Sequence, residues 1–246
     1  MSWARVVVIG LVVALLAGVG WWVWGRGPDS IDPTSTTSGL PGTVLLIPGH
    51  GGSQASMEAL AQALSEDGWA TRIVDIGDGS GDIPAYARQV TALARQYADQ
   101  GEPVALVGYS MGGLIARAAV ANGAASTVMR VVTIGTPHDG TSLAGVGALV
   151  NSPDCDTACR QMAPGSEFLD SLPVAGDASR WLAIYSETDD VIRPADSAAL
   201  AGATVARVQD YCPASTDTHG DVVVDPFTLR AVTDFLDTGV VRAGCP

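Results

Sequence analysis

A serine flanked by glycines near the middle of the chain could act as a nucleophile. Gly108-Tyr109-Ser110-Met111-Gly112 matches the pattern G-x-S-x-G, between the apolar run PVALVG and the helix-like segment GLIARAAV. A strand that turns sharply into a helix would expose the serine hydroxyl, and glycines two positions away on each side would avoid clashes in the turn. This context predicts that Ser110 is the nucleophile of an acyl-transfer reaction.

A serine hydroxyl needs a general base, and the chain has three histidines, His50, His138 and His219. In strand–turn–helix nucleophile sites the partners follow along the chain in the order serine, acid, histidine. His219 lies beyond Ser110 with room for an acid between them and with a loop before the last helix. We therefore predict His219 as the base, with His138 as the alternative.

An acid that orients the imidazole could come from the segment SETDDVI, directly after the strand-like run WLAIYS. A carboxylate at the end of a strand can reach the imidazole, fix its tautomer and stabilise the imidazolium that forms during attack. Glu187, Asp189 and Asp190 compete for this role, and their residue types leave the choice open.

The order of these motifs over residues 41–246 resembles small lipases of the α/β-hydrolase fold. The similar families are the fungal lipase B type and small secreted bacterial, actinobacterial-like, triacylglycerol lipases. The resemblance includes GTPHDGT, CRQMAPGSEFL and IYSETDDVIRP, which is similar to the family pattern IYS-x-T-D-x-(V/I)-(V/I)-x-P. It implies that Asp189 is the acid, with Asp190 as the runner-up, and that His138 is structural.

Two backbone amides are expected to stabilise the oxyanion of the tetrahedral intermediate. The N–H of Met111 directly follows the nucleophile, and the helix that begins there adds positive potential. The second amide should come from LIPGHGG at 46–52, the loop after the first core strand. In the lipases that the chain resembles, this amide belongs to the residue after the Pro-Gly or His-Gly pair, which implies His50. The alternative is an ordinary strand-to-helix turn.

Short apolar segments alternate with amphipathic segments, which is typical of a parallel sheet covered by helices on both faces. The fold class is therefore α/β, with a mostly parallel sheet of about six strands, and the lipase resemblance implies the α/β-hydrolase type. The predicted strands cover 43–47, 70–75, 104–108, 128–134, 181–186 and 204–208. Residues 139–180 break the alternation, and we expect them to form a small cap or lid whose behaviour the resemblance does not imply.

The N-terminal stretch Val6–Trp24 is uninterrupted in its apolar character and is bounded by two arginines. At about 1.5 Å per residue it could cross a hydrocarbon core of about 30 Å as a helix. Three tryptophans at its C-terminal end suit a membrane–water interface. We predict a transmembrane anchor over residues 1–26, and the alternative is a cleaved signal peptide followed by secretion.

The rest of the chain is predicted to be a Pro/Ser/Thr-rich linker at 27–41 and a catalytic domain at 42–246. Four late cysteines favour an oxidising compartment, so we expect a single-pass protein with its N-terminus inside and its catalytic domain outside the cell membrane. The spacing predicts disulfides Cys155–Cys159 and Cys212–Cys245, and a zinc site is the alternative. The lipase resemblance also supports the late disulfide.

The net charge of −13 and the sequence of the loop DIGDGSGD bear on possible ligands. An acidic surface repels nucleic acid, so we expect no nucleic-acid partner. The loop lacks the glutamate of a calcium-binding EF-hand, and a Gly/Asp turn is the preferred interpretation. We expect neither a metal nor a cofactor.

The predicted function is hydrolysis of a carboxylic ester, small-molecule or lipid, through a Ser–His–Asp triad and an acyl-enzyme. An acyltransferase would use the same acyl-enzyme and pass the acyl group to another alcohol. A peptidase or amidase would use the same triad. A catalytically dead, membrane-tethered binding module is the alternative from a different class.

Overall fold

The computed structural model describes residues 42–144 and 155–246. These residues contain a six-stranded parallel sheet. The strands are β1 (Thr43–Ile47), β2 (Ala70–Ile73), β3 (Val104–Tyr109), β4 (Val128–Ile134), β5 (Trp181–Tyr185) and β6 (Thr204–Arg207). Their order across the sheet is β2-β1-β3-β4-β5-β6, and every neighbouring pair is parallel. This arrangement confirms the predicted α/β fold and differs from the predicted strands only at their ends.

Eight α-helices lie wholly within the part of the chain that the structure describes. They are α1 (Glu58–Glu66), α2 (Ile83–Asp99), α3 (Met111–Ala121), α4 (Thr157–Gln161), α5 (Glu167–Ser171), α6 (Val208–Tyr211), α7 (His219–Val222) and α8 (Pro226–Thr238). Apolar side chains of α1 and α8 pack on one face of the sheet, and those of α2 and α3 pack on the other. The predicted covering of both faces is therefore confirmed.

The side chains of β1 show why helices must cover both faces of this sheet. Val44 and Leu46 are buried in the core beneath α1 and α8, while Leu45 and Ile47 are buried in the core beneath α2 and α3. Because successive side chains of a strand point to opposite faces, a strand that is apolar at every position needs an apolar partner on both.

The two longest helices begin at matching sequence signals. Asp82 accepts a hydrogen bond from the Ala85 N–H at the start of α2, and Asp225 accepts one from the Thr228 N–H at the start of α8. A proline follows in the first turn of each helix, where its missing N–H costs no internal hydrogen bond. These caps fix where the chain leaves the sheet edge and becomes helical.

The described part of the insertion at 139–180 is anchored to the body of the domain by a buried arginine. Arg117 of α3 donates hydrogen bonds to the carbonyl oxygens of His138, Leu172 and Pro173. Burial lowers the pKa of this guanidinium. Ala158 from α4 and other apolar residues extend the core into the insertion. Its role as a cap or lid stays a prediction.

The localisation predicted from the sequence needs correction. No helix within 42–144 or 155–246 has the length and the apolar character needed to cross a membrane. The single-pass prediction therefore has no spanning helix to support it in the described structure, while the secreted alternative is compatible with this finding. The predicted anchor over 1–26 and the linker at 27–41 lie outside the described residues.

Both predicted disulfides are present. Cys155 is bonded to Cys159, four positions away, and Cys212 is bonded to Cys245, 33 positions away. The described cysteines are therefore not available as zinc ligands, which removes the alternative interpretation. The second disulfide ties the end of the chain to the segment after α6.

The two disulfides are expected to stabilise the fold unequally. In the chain-entropy model a cross-link restricts the unfolded chain more when it closes a longer loop. Removing the pair in Cys212→Ser/Cys245→Ser should lower the free energy of unfolding by about 3–4 kcal/mol, and Cys155→Ser/Cys159→Ser should lower it by about 2 kcal/mol. Urea denaturation followed by circular dichroism measures both, and an equal loss in the two variants would contradict the entropic account.

Candidate active site

Ser110 occupies a strained turn between β3 and α3. Its backbone has φ 53° and ψ −125°, and it is the single non-glycine residue with positive φ in the described ranges. A non-glycine residue adopts such a conformation only where the surrounding structure holds it. The N–H of Ser110 donates to the carbonyl oxygen of Ile134 at 2.8 Å, which fixes the turn against β4.

Three glycines allow the turn to pack against its neighbours. A Cβ on Gly108 would lie 2.4 Å from backbone atoms of Gly112, and a Cβ on Gly112 would lie 2.0 Å from the carbonyl oxygen of Ile47. A Cβ on the next glycine, Gly113, would lie 2.0 Å from the hydroxyl oxygen of Thr136. The glycines of the motif are therefore required by contacts across the turn.

Ser110, His219 and Asp189 form a continuous hydrogen-bonded chain. His219 Nε2 lies 3.0 Å from Ser110 Oγ, and His219 Nδ1 lies 2.8 Å from Asp189 Oδ2. All three residues are buried, with exposed fractions of 8%, 8% and 3% for the serine, the histidine and the aspartate. A proton on Nδ1 can be donated to the carboxylate, which leaves Nε2 free to accept the serine proton.

The second oxygen of Asp189 is also held in place. Oδ1 accepts hydrogen bonds from the N–H groups of Val191 at 2.9 Å and Ile192 at 2.8 Å. The carboxylate is therefore oriented by its own loop before it contacts the imidazole. The structure brings Asp189, the acid implied by the lipase resemblance, into contact with His219, the predicted base.

Asp190, the runner-up acid, binds the same histidine at a different place. Its Oδ1 accepts a hydrogen bond from the backbone N–H of His219 at 3.0 Å, and this bond is the main cause that lowers the pKa of Asp190. Asp190 therefore holds the main chain of His219, while Asp189 holds its ring.

Tyr109 is a contact of the histidine that the sequence analysis missed. Its ring stacks on the His219 ring with 5.0 Å between centroids, and its hydroxyl donates to the His219 carbonyl oxygen at 2.9 Å. Burial, with a further contribution from the nearby Asp189 and Asp190, raises the pKa of Tyr109 to about 12. The available signal was an aromatic residue directly before the nucleophile.

The loop after β1, residues 48–52, lies beside the nucleophile. A Cβ on Gly49 would be 3.0 Å from Ser110 Cβ and 3.5 Å from Ser110 Oγ. Among the described residues the backbone N–H of His50 has no hydrogen-bond acceptor, and that of Met111 has none outside its own helix. The two amides implied as oxyanion donors are therefore on chain segments that border the serine.

His138, the alternative base, contacts a threonine, whereas His219 contacts Ser110. It is 2% exposed, and its Nε2 lies 3.0 Å from the hydroxyl of Thr133. Burial is the main cause that lowers its pKa from near 6.5 to about 3. The ring is thus a neutral part of the core.

The aspartates of the loop DIGDGSGD bind their own backbone. Asp75 accepts from the N–H of Gly77, and Asp78 accepts from the N–H and hydroxyl of Ser80. Within the described ranges, no group of three or more His, Cys, Asp or Glu side chains could hold a metal ion. The loop has the geometry of the turn that the sequence predicts.

Comparison with known protein families gives one match that covers half of the chain. The palmitoyl protein thioesterase family matches residues 43–172, which include β1, the loop after it and the Ser110 turn. No curated protein matches the sequence.

Two lipases illustrate the similarity to solved structures. Mature lipase BlEst2 from Bacillus licheniformis superposes with a TM-score of 0.62 at 17% identity, over 85% of this chain and 96% of the lipase. Lipase B from Aspergillus fumigatus superposes with a TM-score of 0.68 at 20% identity, over 87% of this chain and 60% of the lipase. At these identities the likeness establishes the fold, and the family match supports a hydrolase that acts on esters.

The close contacts of Gly112 predict that it cannot be replaced. In Gly112→Ala the new methyl group would meet the carbonyl oxygens of Ile47, at the end of β1, and of Pro48, directly after it; these are backbone atoms and cannot move cheaply. We expect a loss of at least about 3 kcal/mol in the free energy of unfolding. Gly176→Ala is the control, because a Cβ there meets nothing within 4 Å. Equal stability of the two variants in urea denaturation would contradict the packing argument.

The burial of neutral His138 predicts an acid-dependent loss of stability. Below pH 6.5 the unfolded chain binds a proton at this residue, and the folded chain does not until the pH approaches 3. Stability therefore falls as the pH falls through this window, by about 1.4 kcal/mol per pH unit for one group. His138→Gln should show a shallower decline than the wild type between pH 6 and pH 4 in urea denaturation. Parallel curves would show that His138 is not the cause.

Proposed function

The chain belongs to the palmitoyl protein thioesterase family, and from this premise we propose that it is a serine hydrolase that cleaves acyl esters through an acyl-enzyme. Ser110 is the proposed nucleophile, His219 the general base and Asp189 the acid that orients the base. His50 and Met111 are proposed to donate their backbone N–H groups to the oxyanion.

The observation that supports this proposal is the hydrogen-bonded chain from Ser110 through His219 to Asp189. Its two links measure 3.0 Å and 2.8 Å, within the range of hydrogen bonds that can pass a proton during attack. The strained serine backbone adds to this support, because strain persists only where the fold maintains it. A binding module would have no need for either feature.

The proposed reaction has two steps that conserve every proton. In the first, Ser110 Oγ attacks the acyl carbon as His219 Nε2 takes the serine proton, and the imidazolium then gives that proton to the departing alcohol or thiol. In the second, His219 takes a proton from water as the hydroxide attacks the acyl-enzyme, and returns it to Ser110 when the carboxylic acid leaves. Asp189 stays ionised and stabilises the imidazolium in both steps.

Two kinds of leaving group are consistent with the comparisons. The family that matches residues 43–172 is described as a thioesterase, and the two solved neighbours are described as lipases. The acyl-enzyme is the same whether the bond to be cleaved is C–O or C–S, so the triad serves both. We propose the oxygen ester as the principal substrate bond, because lipases superpose over most of the described chain, and the thioester as the second candidate.

Hydrolysis of matched substrates tests both candidates. The purified full chain is assayed with p-nitrophenyl esters of increasing acyl length and with the corresponding thiophenyl esters. Ser110→Ala should lower kcat/KM at least about 10³-fold, because the nucleophile is lost while the oxyanion donors remain. A fluorophosphonate probe should label the wild type at Ser110, as peptide mass spectrometry would show.

The matched control is Ser126→Ala, which changes an exposed serine outside the site. It should keep kcat/KM within about twofold, as surface substitutions usually do. Retention of full activity in Ser110→Ala would refute the proposed mechanism. Activity on thiophenyl esters with none on oxygen esters would replace the first candidate by the second.

A further inference from the structure

His50 carries a side-chain contact that its proposed backbone role does not require. Its Nε2 lies 2.7 Å from Asp156 Oδ2, and the two residues are 106 positions apart in the chain. The side chains are 42% and 27% exposed, so the pair lies at the surface but is partly shielded from solvent. A ring nitrogen that donates to a carboxylate at this distance makes a charge-assisted hydrogen bond.

Asp156 is itself held rigidly. It lies within the segment 155–159 that the Cys155–Cys159 disulfide closes, which we term the clip. Its other oxygen, Oδ1, accepts a hydrogen bond from the Cys159 N–H at 2.8 Å, which caps the start of α4. One carboxylate therefore joins the clip to the loop beside the nucleophile.

The clip also rests on the segment before α2. The Ala158 N–H donates to the Ser80 carbonyl oxygen at 3.3 Å. Gln161, at the end of α4, donates to Asp82 Oδ1 at 2.7 Å and accepts from the Ile83 N–H at 2.8 Å. The clip is thus fixed to the body of the domain by contacts separate from the one with His50.

The segment 76–81 contacts the loop at 48–52 directly. A Cβ on Gly52 would lie 1.8 Å from the carbonyl oxygen of Gly77, and a Cβ on Gly79 would lie 3.1 Å from the Gly51 nitrogen. The two loops therefore pack backbone against backbone. His50 protrudes from this pair of loops, and its ring contacts the clip.

We propose that His50 and Asp156 are positioning residues, which hold the His50 backbone N–H at the place where the oxyanion forms. This inference rests on the proposed function. Gly49, Gly51 and Gly52 surround His50, and two of them have positive φ, so the loop backbone has much conformational freedom of its own. The hydrogen bond from the His50 ring to Asp156 restricts the loop at His50, the residue whose backbone N–H must point toward the oxyanion.

The energetic reason is that an oxyanion donor acts through its geometry. A donor contributes to the rate only when it lies about 2.7–3.1 Å from the developing charge, and removal of one donor costs about 10²–10³ in kcat. A loop that samples several orientations loses part of this effect. The loss falls on kcat and leaves KM nearly unchanged, because the substrate carbonyl gains the charge only in the transition state.

A double-mutant cycle tests the pair. Asp156→Ser keeps an oxygen that can cap α4 and removes the oxygen that reaches His50. His50→Ala removes the ring and keeps the backbone N–H. Each should lower kcat for a p-nitrophenyl ester about tenfold with KM within twofold, and the double variant should be no slower than either single variant. His50→Gln should recover most of the rate, because its amide can still donate to Asp156.

The disulfides provide a matched comparison. Cys155→Ser/Cys159→Ser opens the clip and should lower kcat by a similar factor. Cys212→Ser/Cys245→Ser removes the disulfide whose Cys212 packs in the core on the opposite face of the sheet, and it should keep kcat within twofold despite its larger loss of stability. This reversal between stability and rate distinguishes positioning from general destabilisation.

The outcomes separate this inference from the proposed function. If the wild type hydrolyses esters and Asp156→Ser keeps its kcat, or if the two single losses multiply in the double variant, the positioning role is wrong and the proposed function stands. If the wild type neither hydrolyses esters nor reacts with a fluorophosphonate at Ser110, both are wrong. The rate of Ser110 labelling in each variant gives a second readout that needs no turnover.

Discussion

The hydrogen bond between His219 Nε2 and Ser110 Oγ joins residues 109 positions apart, and much of the described structure serves to form it. Parallel strands have their C-terminal ends at one edge of the sheet, so the turn after β3 and the loop after β5 lie close together. His219 is then held from four sides: by Ser110 and Asp189 at the ring nitrogens, by Asp190 at the backbone N–H, and by Tyr109 at the carbonyl oxygen.

The strained backbone of Ser110 is the conformational cost of this arrangement, on the order of 1–3 kcal/mol for such a residue. The turn offsets it through close packing and through the Ser110 N–H bond to Ile134. The same principle applies at the loop 48–52, whose glycines permit close contact with the segment 76–81 but restrict their own backbone less than other residues would. A contact from a separate element, the clip, compensates for that freedom in our proposal.

Much of the fold and site could be predicted because each relevant signal is local. The nucleophile turn depends on glycines within two residues of Ser110. The strands are short runs of apolar residues, and such runs indicate buried strands. The residues near Asp189 and Asp190 in the sequence do not decide which of the two contacts the imidazole. Both follow β5, and the fold decides that one carboxylate meets the ring and the other meets the backbone. The predicted single-pass localisation finds no spanning helix within residues 42–144 and 155–246, and the predicted anchor over 1–26 lies outside those ranges.

The sequence by itself determined the α/β class, the nucleophile turn and the acidic charge, because these follow from residue types and short spacings. It also determined the two disulfides, because the close pair Cys155–Cys159 leaves Cys212 to bond with Cys245. Only the tertiary structure decided that Tyr109 stacks on His219 and that Asp156 meets His50. Such contacts join residues about 100 positions apart in side-chain orientations that depend on how loops pack at the sheet edge. No periodicity in the chain encodes that packing, since it results from the simultaneous fit of several separate segments.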